Sequence, residues 1–428
     1  MKDFIREWKT FLILWSTQAL SQLGSAMTNF ALIIWLYQRT GSALQTALLS
    51  ICSYAPYVAV SIFAGALADR WDRKRVMLVC DTLAAASTVA VLVLLKTGRL
   101  APAHMYLLNA LNGLMGSVQS PASDVAMSLI IPKKHYQRAS GLRSFSNSLV
   151  TILTPMLASM ILAFAGMDAV ILVDLATFAA AFLALLLFVE IPKTGGDSEA
   201  RESFGKLVRG GLQYLNRNRL ILYLILFLAG VNLVASAFDA VLPALILPRE
   251  NGGEMALGTV QAFAGVATLA GSLIAVLMPA PKDRVRVIIA TMLFSLGTEN
   301  FLIALGRTPA VWCIAQLFGW IPVPLMGANL DVILRTTIPP ELQGRVFACR
   351  NTLQFFTIPL GFFLGGALVD GAFEPLMARQ PADGPLALLF GTGKGSGASA
   401  TMFLLGVAGV AICLIFGKIL RAQQQKNS

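Results

Sequence analysis

Charge is scarce in this sequence: Asp, Glu, Lys and Arg together make up 13% of 428 residues, where a water-soluble domain carries about 25%. A chain with half the usual charge cannot cover its surface with it, so water is excluded as its main solvent. Histidine is nearly absent. His104 and His135 both fall at loop boundaries, which excludes a histidine proton relay. The five cysteines, Cys52, Cys80, Cys313, Cys349 and Cys413, lie in or at the ends of apolar stretches. Their spacing matches no metal site, and neither a disulfide nor a metal centre is expected. No phosphate-binding glycine loop, nucleophile–base pairing or metal-ligand cluster occurs. ATP-driven work and enzymatic chemistry therefore have no residues to carry them, and no cofactor is expected.

What is present is apolar length. The hydrophobic fraction is 56% and the mean hydropathy is +0.72. Twelve runs are long enough to span hydrocarbon: 10–37, 43–66, 76–95, 105–130, 140–165, 169–189, 220–247, 258–278, 287–305, 309–337, 351–372 and 398–417. A crossing helix needs about 20 residues. Only helices and closed barrels satisfy their backbone in lipid, and runs without period-two alternation exclude a barrel. The first run is too long for a signal-peptide core and reads as a retained helix. The expected fold is an all-α membrane protein of twelve transmembrane helices. With both termini cytoplasmic, 26 of the 33 Lys and Arg fall on the inner side and seven on the outer, the asymmetry of a multi-pass protein of the cytoplasmic membrane. The net charge of +11 thus lies on one membrane face and points to anionic lipid rather than nucleic acid as a partner.

The chain divides into 1–190, a cytoplasmic connection at 191–218, and 219–428. Within the connection, Phe204, Leu207, Val208, Leu212 and Leu215 recur at helical spacing beside Lys206, Arg209 and Arg217. That pattern fits a basic amphipathic helix on the inner leaflet; a solvated linker is the alternative. A shift of 207 residues lays Asp124-Val125 on Asp331-Val332, Ile131-Pro132 on Ile338-Pro339, Arg138 on Arg345 and Arg143 on Arg350. Matches at one offset, all around the connection between the fourth and fifth spans of each half, argue for duplication into two pseudo-symmetric six-helix bundles. Such parallel repeats place a binding site near the midplane.

One short segment carries most of the remaining information. Residues 65–75 read GALADRWDRKR between two spans, an acid and then four cations at the end of a helical hairpin. This resembles motif A of the major facilitator superfamily, with matches at Gly65, Leu67, Asp69, Arg70, Arg73 and Lys74 and a departure at Asp72, where the family has Gly. The whole chain further resembles the macrolide-efflux-like branch, the third drug–proton antiporter family, through SQLGSAMTNFALIIWLYQRTGSA (21–43), the repeated Ile-Pro segments and FEPLMARQPADGPLALLFGTGKGSG (373–397). The resemblance implies a cytoplasmic latch: Asp69 at the start of the eleventh helix, and Arg73 paired with Asp124. A carboxylate at a helix N-terminus meets free N–H groups, and Arg can bond two acids at once. In the second half Arg284, Asp331 and Arg345 form a partial copy, while the Asp69 equivalent falls near Ala280. The second latch is expected to be weaker. The loss of Gly at position 72 is expected to weaken the tight turn. The plain alternative for the cations is the positive-inside rule alone.

Acids within spans are functional candidates, since Asp at a helix centre costs about 2.5–3.5 kcal/mol. They are Asp81, Asp124, Asp174, Asp239, Glu299, Asp331 and Asp370. Asp81 lies near the cationic loop in sequence, so an ion pair with an Arg is expected. Asp174 and Asp370 lie near the outer face, where solvation or hydrogen bonding accounts for them. Asp239 and Glu299 are deeper and lack a nearby cation; with Asp174 they are the proton-coupling candidates, Asp239 first because the seventh helix lines the cavity in this superfamily. Structural hydrogen bonding is the alternative for each. Cavity candidates on the lining helices are Gln22, Asn29, Tyr54, Asn112, Gln119, Asn147, Asn232, Phe238, Asn329, Gln354 and Phe355. Pro155 in the fifth span, and Pro359, Gly361, Gly365 and Gly366 in the eleventh, permit bending and close packing. The leading reading is a monomeric secondary transporter, exporting a hydrophobic or amphipathic compound (drug, macrolide or siderophore-like) on the proton motive force. A transporter or flippase of lysophospholipid and a non-transporting membrane sensor are the alternatives.

Overall fold

The computed structural model describes residues 2–70, 72–131, 136–189, 191 and 212–427. The side chains of Gly65, Asp69, Arg70, Asp124, Arg345 and Phe355, and the 191–218 connection apart from 191 and 212–218, lie outside the described residues. No strand occurs among the described residues. The helices are α1 (Lys2–Thr40), α2 (Ala43–Arg70), α3 (Arg73–Lys96), α4 (Pro102–Ile130), α5 (Tyr136–Phe188), α6 (Arg219–Ile246), α7 (Glu254–Leu277), α8 (Arg284–Leu305), α9 (Pro309–Trp320), α10 (Pro322–Thr337), α11 (Pro340–Leu368), α12 (Glu374–Ala378), α13 (Pro385–Phe390) and α14 (Ser396–Asn427), with one π-helical turn at Val369–Phe373.

Among the described residues, ten helical segments are long and apolar enough to cross a membrane. α5 accounts for two crossings. Its 53 residues would reach about 80 Å as a straight helix, far beyond the ~30 Å of hydrocarbon. Gly166 turns the chain at φ 77°, ψ 178°, a conformation that only glycine adopts without strain. α4 is the other addition: Asn109, Asn112 and Gln119 along its length lower its hydropathy. The protein is thus a twelve-span helical membrane protein. The tenth span is split where Pro322 has no N–H to donate back to Phe318; α9 ends and α10 begins there,.

The chain forms two compact units: Met1–Arg39 with Leu48–Ala200, and Thr40–Ala47 with Arg201–Ser428. In the first unit, Leu14 of α1, Met77 and Cys80 of α3, Ala122 and Ala126 of α4, and Leu185 of α5 share one core cluster. In the second, α6 packs chiefly on α11 and α14, and α14 on α8. Both units use the same close crossing. A Cβ on Gly113 of α4 would overlap the backbone of Ser53 in α2, and a Cβ on Gly271 of α7 would overlap the backbone of Ile321 between α9 and α10. The second and fourth spans of each half therefore meet backbone to backbone, with the glycine on opposite partners.

The turn at position 72 differs from expectation. Asp72 is the N-cap of α3, its Oδ1 accepting from Arg75 N at 3.2 Å. Asp283 caps α8 in the same way, accepting from Arg286 N at 2.9 Å. The acid that replaces the family glycine thus satisfies the helix start, worth about 0.5–2 kcal/mol, and both halves carry it. All five cysteines are free. In the 191–218 connection, residues 212–217 are helical, Leu215 is buried, and the Tyr214 hydroxyl donates to Thr337 O at 3.1 Å.

Candidate functional site

Polar side chains recur along α1 at alternating steps of three and four: Trp15, Gln18, Gln22, Ser25 and Asn29. The same rhythm runs along α4 through Asn109, Asn112, Gly116, Gln119 and Ser123. Residues so spaced share one helix face. The two stripes, with Asp81 and Thr88 of α3 and Ser146, Asn147 and Asp174 of α5, line a cavity of about 620 Å³ within the first unit. That volume suits a drug-sized molecule. Of the sequence candidates, Gln22, Asn29, Asn112, Gln119, Asn147 and Asp174 come together here; Tyr54 is outside the lining and exposed on α2. Gln18, Ser25, Thr28, Asp81, Thr88, Asn109 and Ser146 join the lining without having been singled out for it. Trp15 ties α1 to α5, its Nε1 donating to Leu142 O at 3.2 Å and Ser146 Oγ at 3.3 Å.

The two carboxylates of the lining have unlike surroundings. Asp174 is 3% exposed. Its Oδ1 accepts from Ser25 Oγ at 2.9 Å and its Oδ2 from Thr88 Oγ1 at 3.3 Å. Asp81 is 7% exposed. Its Oδ1 accepts from Gln119 Nε2, Gln18 lies beside it, and Oδ2 has no hydrogen-bond partner among the described residues. The expected ion pair of Asp81 with an arginine is not formed among the described residues. Asp81 sits some 9–12 Å along the helix from the cations of the first turn. Lys74, which shares its face, turns away to cap the end of α5 through Leu186 O at 3.0 Å and Val189 O at 2.7 Å. Replacing Lys74 by Met removes both bonds, each to a helix-terminal carbonyl. It is expected to cost about 1–2 kcal/mol and lower the melting temperature of the purified protein by several degrees; an unchanged melting temperature would refute this role.

In the second unit the expected pairing of Arg284 with Asp331 is replaced by another. Arg284 Nη1 donates to Asn329 Oδ1 at 3.0 Å, and Asn329 Nδ2 to Leu325 O at 2.9 Å. Asp331 is two residues on, about 200° around α10. Its side chain is 58% exposed and lies 3.8 Å from Arg350 Nη1. Asn329, expected as a cavity residue, is instead a buried partner of Arg284. Gln354 is buried under Arg350, whose Nε donates to Gln354 Oε1 at 3.2 Å, and Phe238 is core. Asn232 is half-buried and its carbonyl accepts from Ser236 Oγ at 2.6 Å. Asp239 is exposed although Phe238, Ala240 and Val241 around it are buried. Glu299 is 6% exposed, with Trp320 bonding it and Asp239 within electrostatic reach. A Cβ on Gly319 would overlap its carboxylate, so α9 seals it in. Asp370 is hydrogen-bonded, accepting from Ser42 Oγ at 2.5 Å, Ala43 N at 3.0 Å and Leu44 N at 2.8 Å, which caps the start of α2. No group of three or more metal-ligating side chains occurs among the described residues.

Known proteins resemble this chain along most of its length. Macrolide efflux protein A of Streptococcus pyogenes is 25% identical over 369 residues, covering 85% of this chain and 90% of that protein. The multidrug efflux pump Tap of Mycolicibacterium fortuitum is 25% identical over 362 residues, covering 82% and 86%. Among solved structures, a bacterial homologue of the iron transporter ferroportin in an inward-facing state superposes with a TM-score of 0.71 at 16% identity, over 96% of this chain and 99% of that one. A bacterial homologue of the lysosomal transporter Spinster gives 0.72 at 15%, over 98% and 97%. At these identities the structures speak for the fold alone. The sequence model of the Major Facilitator Superfamily matches residues 14–362, and with twelve spans, a motif A segment and efflux proteins among its relatives, the chain belongs to that superfamily of membrane transporters.

Proposed function

We propose that the protein is a proton-coupled exporter of amphipathic compounds, working by alternating access as a monomer in the cytoplasmic membrane with both termini inside. The observation that carries this reading is the cavity of the first unit, drug-sized and holding two buried carboxylates. Acids retained inside a span mark ion or proton paths. Relatives named for macrolide and multidrug efflux support the direction. The lining is richer in amides and hydroxyls than the composition led us to expect, so the compound presents several hydrogen-bonding groups besides an apolar body. Such a wall favours a drug or macrolide over a lysophospholipid, whose acyl chain needs continuous apolar contact. Each proton entering gains about 2.3 kcal/mol per 100 mV and about 1.36 kcal/mol per pH unit, enough for one proton to sustain a gradient of roughly two orders of magnitude. The Asp69–Arg73–Asp124 latch would close the cytoplasmic side, as the motif A resemblance implies.

The test is accumulation of a radiolabelled macrolide in energised cells with and without the protein. Expression is expected to lower accumulation several-fold, and a protonophore should abolish the difference. Extrusion that survives collapse of the proton gradient would sink proton coupling; no difference in accumulation across a drug and macrolide panel would sink export.

A further inference from the structure

We propose that the cavity of the first unit is a subsite for a neutral sugar ring, read by the amides of Gln22 and Asn29 on α1, Asn112 on α4 and Asn147 on α5, so that the transported compound is a glycoside with an apolar aglycone. The inference rests on the reading of this cavity as the transported compound's site, and deepens it by naming the chemistry recognised there.

The division of labour among the polar groups of the lining carries the argument. Its charged side chains are engaged by the protein itself. Asp174 accepts from Ser25 and Thr88, and Asp81 from Gln119. Arg143, the one cation of the lining, is not free either. The four amides are in the opposite condition. All four side chains are exposed and line the cavity, and none of these amide groups makes a hydrogen bond among the described residues. An amide holds a C=O acceptor and an NH2 donor in one plane, and a hydroxyl is likewise both donor and acceptor. Two adjacent hydroxyls of a sugar therefore fill both halves of an amide, in the bidentate manner by which amides read adenine. Other ligand chemistry fits worse. An ionised phosphate or carboxylate only accepts and an ammonium only donates, so each satisfies half of every amide. An apolar surface strands both halves once water has left. Ordered water is displaced without loss only by groups that reproduce its bonds, and a ring of hydroxyls does so.

The amides are spread around the cavity rather than clustered. Gln22 and Asn29 lie seven residues apart, about 10 Å along α1, and Asn112 and Asn147 come from two other helices. A ligand with one polar group would engage one amide and leave three, whereas a sugar carries hydroxyls around its whole edge. The lining also offers flat apolar surface for the C–H face of such a ring. Trp15 and Phe178 both contribute to it, and the indole of Trp15 is held in place by its Nε1 bonds to Leu142 O and Ser146 Oγ,. The volume of about 620 Å³ falls in the drug-sized range and leaves room for an aglycone beside the ring.

The experiment uses the purified full-length protein in lipid nanodiscs, which avoids sugar-headed detergents. Titration calorimetry compares three probes that share one aglycone: 4-methylumbelliferone, its β-glucoside and its phosphate. Wild type is expected to bind the glucoside about tenfold or more tightly than either of the others. Asn112→Leu and Gln22→Met keep the side-chain size and lose the amide. Each should weaken glucoside binding about tenfold and leave the Kd of 4-methylumbelliferone unchanged; a merely structural role would move both Kd values together. Wild type that binds the glucoside no more tightly than the aglycone, or the phosphate more tightly than the glucoside, overturns the proposal. So does a full glucoside preference in either folded amide variant. Should neither variant fold, the wild-type comparison decides alone. The two readings fail separately. Protonophore-sensitive export by a protein that does not prefer the glucoside refutes this assignment alone, and glucoside preference without extrusion from cells refutes the exporter alone.

Discussion

Replacing Gly113 by Val is expected to leave little folded protein in the membrane. The reason is the crossing of α2 and α4. A Cβ at position 113 would overlap Ser53 O, with the carbonyl carbon of Ser53 at 2.9 Å and its Cα at 3.2 Å. These are backbone atoms of a spanning helix, so no rotamer change relieves the clash; one helix must move away from the other. Membrane helices rely on such small-residue contacts, because lipid offers no hydrophobic force to press them together. A single methyl in Gly113→Ala overpacks the contact at a cost of about 1–3 kcal/mol, a fall of roughly 3–10 °C in melting temperature. The branched Val adds two further carbons and lies beyond what the crossing can absorb. Gly141→Ala is the matched control: nothing stands within 4 Å of a Cβ there, and Ala is favoured over Gly in a helix by about 1 kcal/mol, so its melting temperature should equal or exceed that of wild type. Size-exclusion chromatography of heated, detergent-solubilised samples reads all three. A Val variant that melts with wild type would show that the helices do not meet so closely. The effect also reaches the function, because Asn112 and Gly116 on either side of Gly113 line the cavity.

Much of this was legible from residues alone. Apolar length marks the spans, and the charged segment at 65–75 marks the family. What escaped depends on angles rather than on proximity in sequence. Asp81 follows the cationic loop within a few residues, which reads as an ion pair, but a helix carries it two turns away from Lys74. Asp331 follows Asn329 by two positions, and that small step points it out to an exposed face while Asn329 takes Arg284. Asp72 reads as a defect in a glycine turn, yet an acid before a helix is a cap, and Asp283 repeats it. The cavity was half visible. Residue chemistry taken position by position selects Gln22 on α1 and Asn112 on α4 but passes over Gln18 and Ser25. The three-four rhythm that unites them is in the sequence and identifies the face directly. The partners of Asp81 and Asp174 are not, because they depend on which hydroxyls and amides other helices bring.

The other large effect is expected at the start of the last span of the second unit, in Glu374→Ala. Glu374 opens α12, and its carboxylate receives Gly395 N and Gly397 N, both at 2.8 Å. These are the free donors at the start of α14, the last span, where an anion is favoured by the helix dipole. Gly397 is glycine for this reason: a Cβ there would overlap Glu374. From the loop after α6, Arg249 Nη2 donates to Phe390 O at 2.7 Å and Ser399 Oγ at 2.8 Å, binding the same helix start from the other side. Burial pulls the Arg249 guanidinium down from its ordinary range, and the charge of Glu374 opposes that while Arg307 adds to it. Removing the carboxylate therefore frees two N–H groups and also leaves Arg249 facing Arg307 without a counter-charge. Two charge-assisted bonds at the low end of their range, as suits a half-buried acid, amount to about 3 kcal/mol, or a fall of roughly 6–12 °C in melting temperature. Glu374→Gln, which keeps one acceptor oxygen, should lose about half of that. Combining Glu374→Ala with Arg249→Met should cost less than the sum of the two, since each single change strands the other's partner. Strict additivity would mean that the acid and the guanidinium hold α14 independently, and a wild-type melting temperature for Glu374→Ala would mean that the last span does not need its cap.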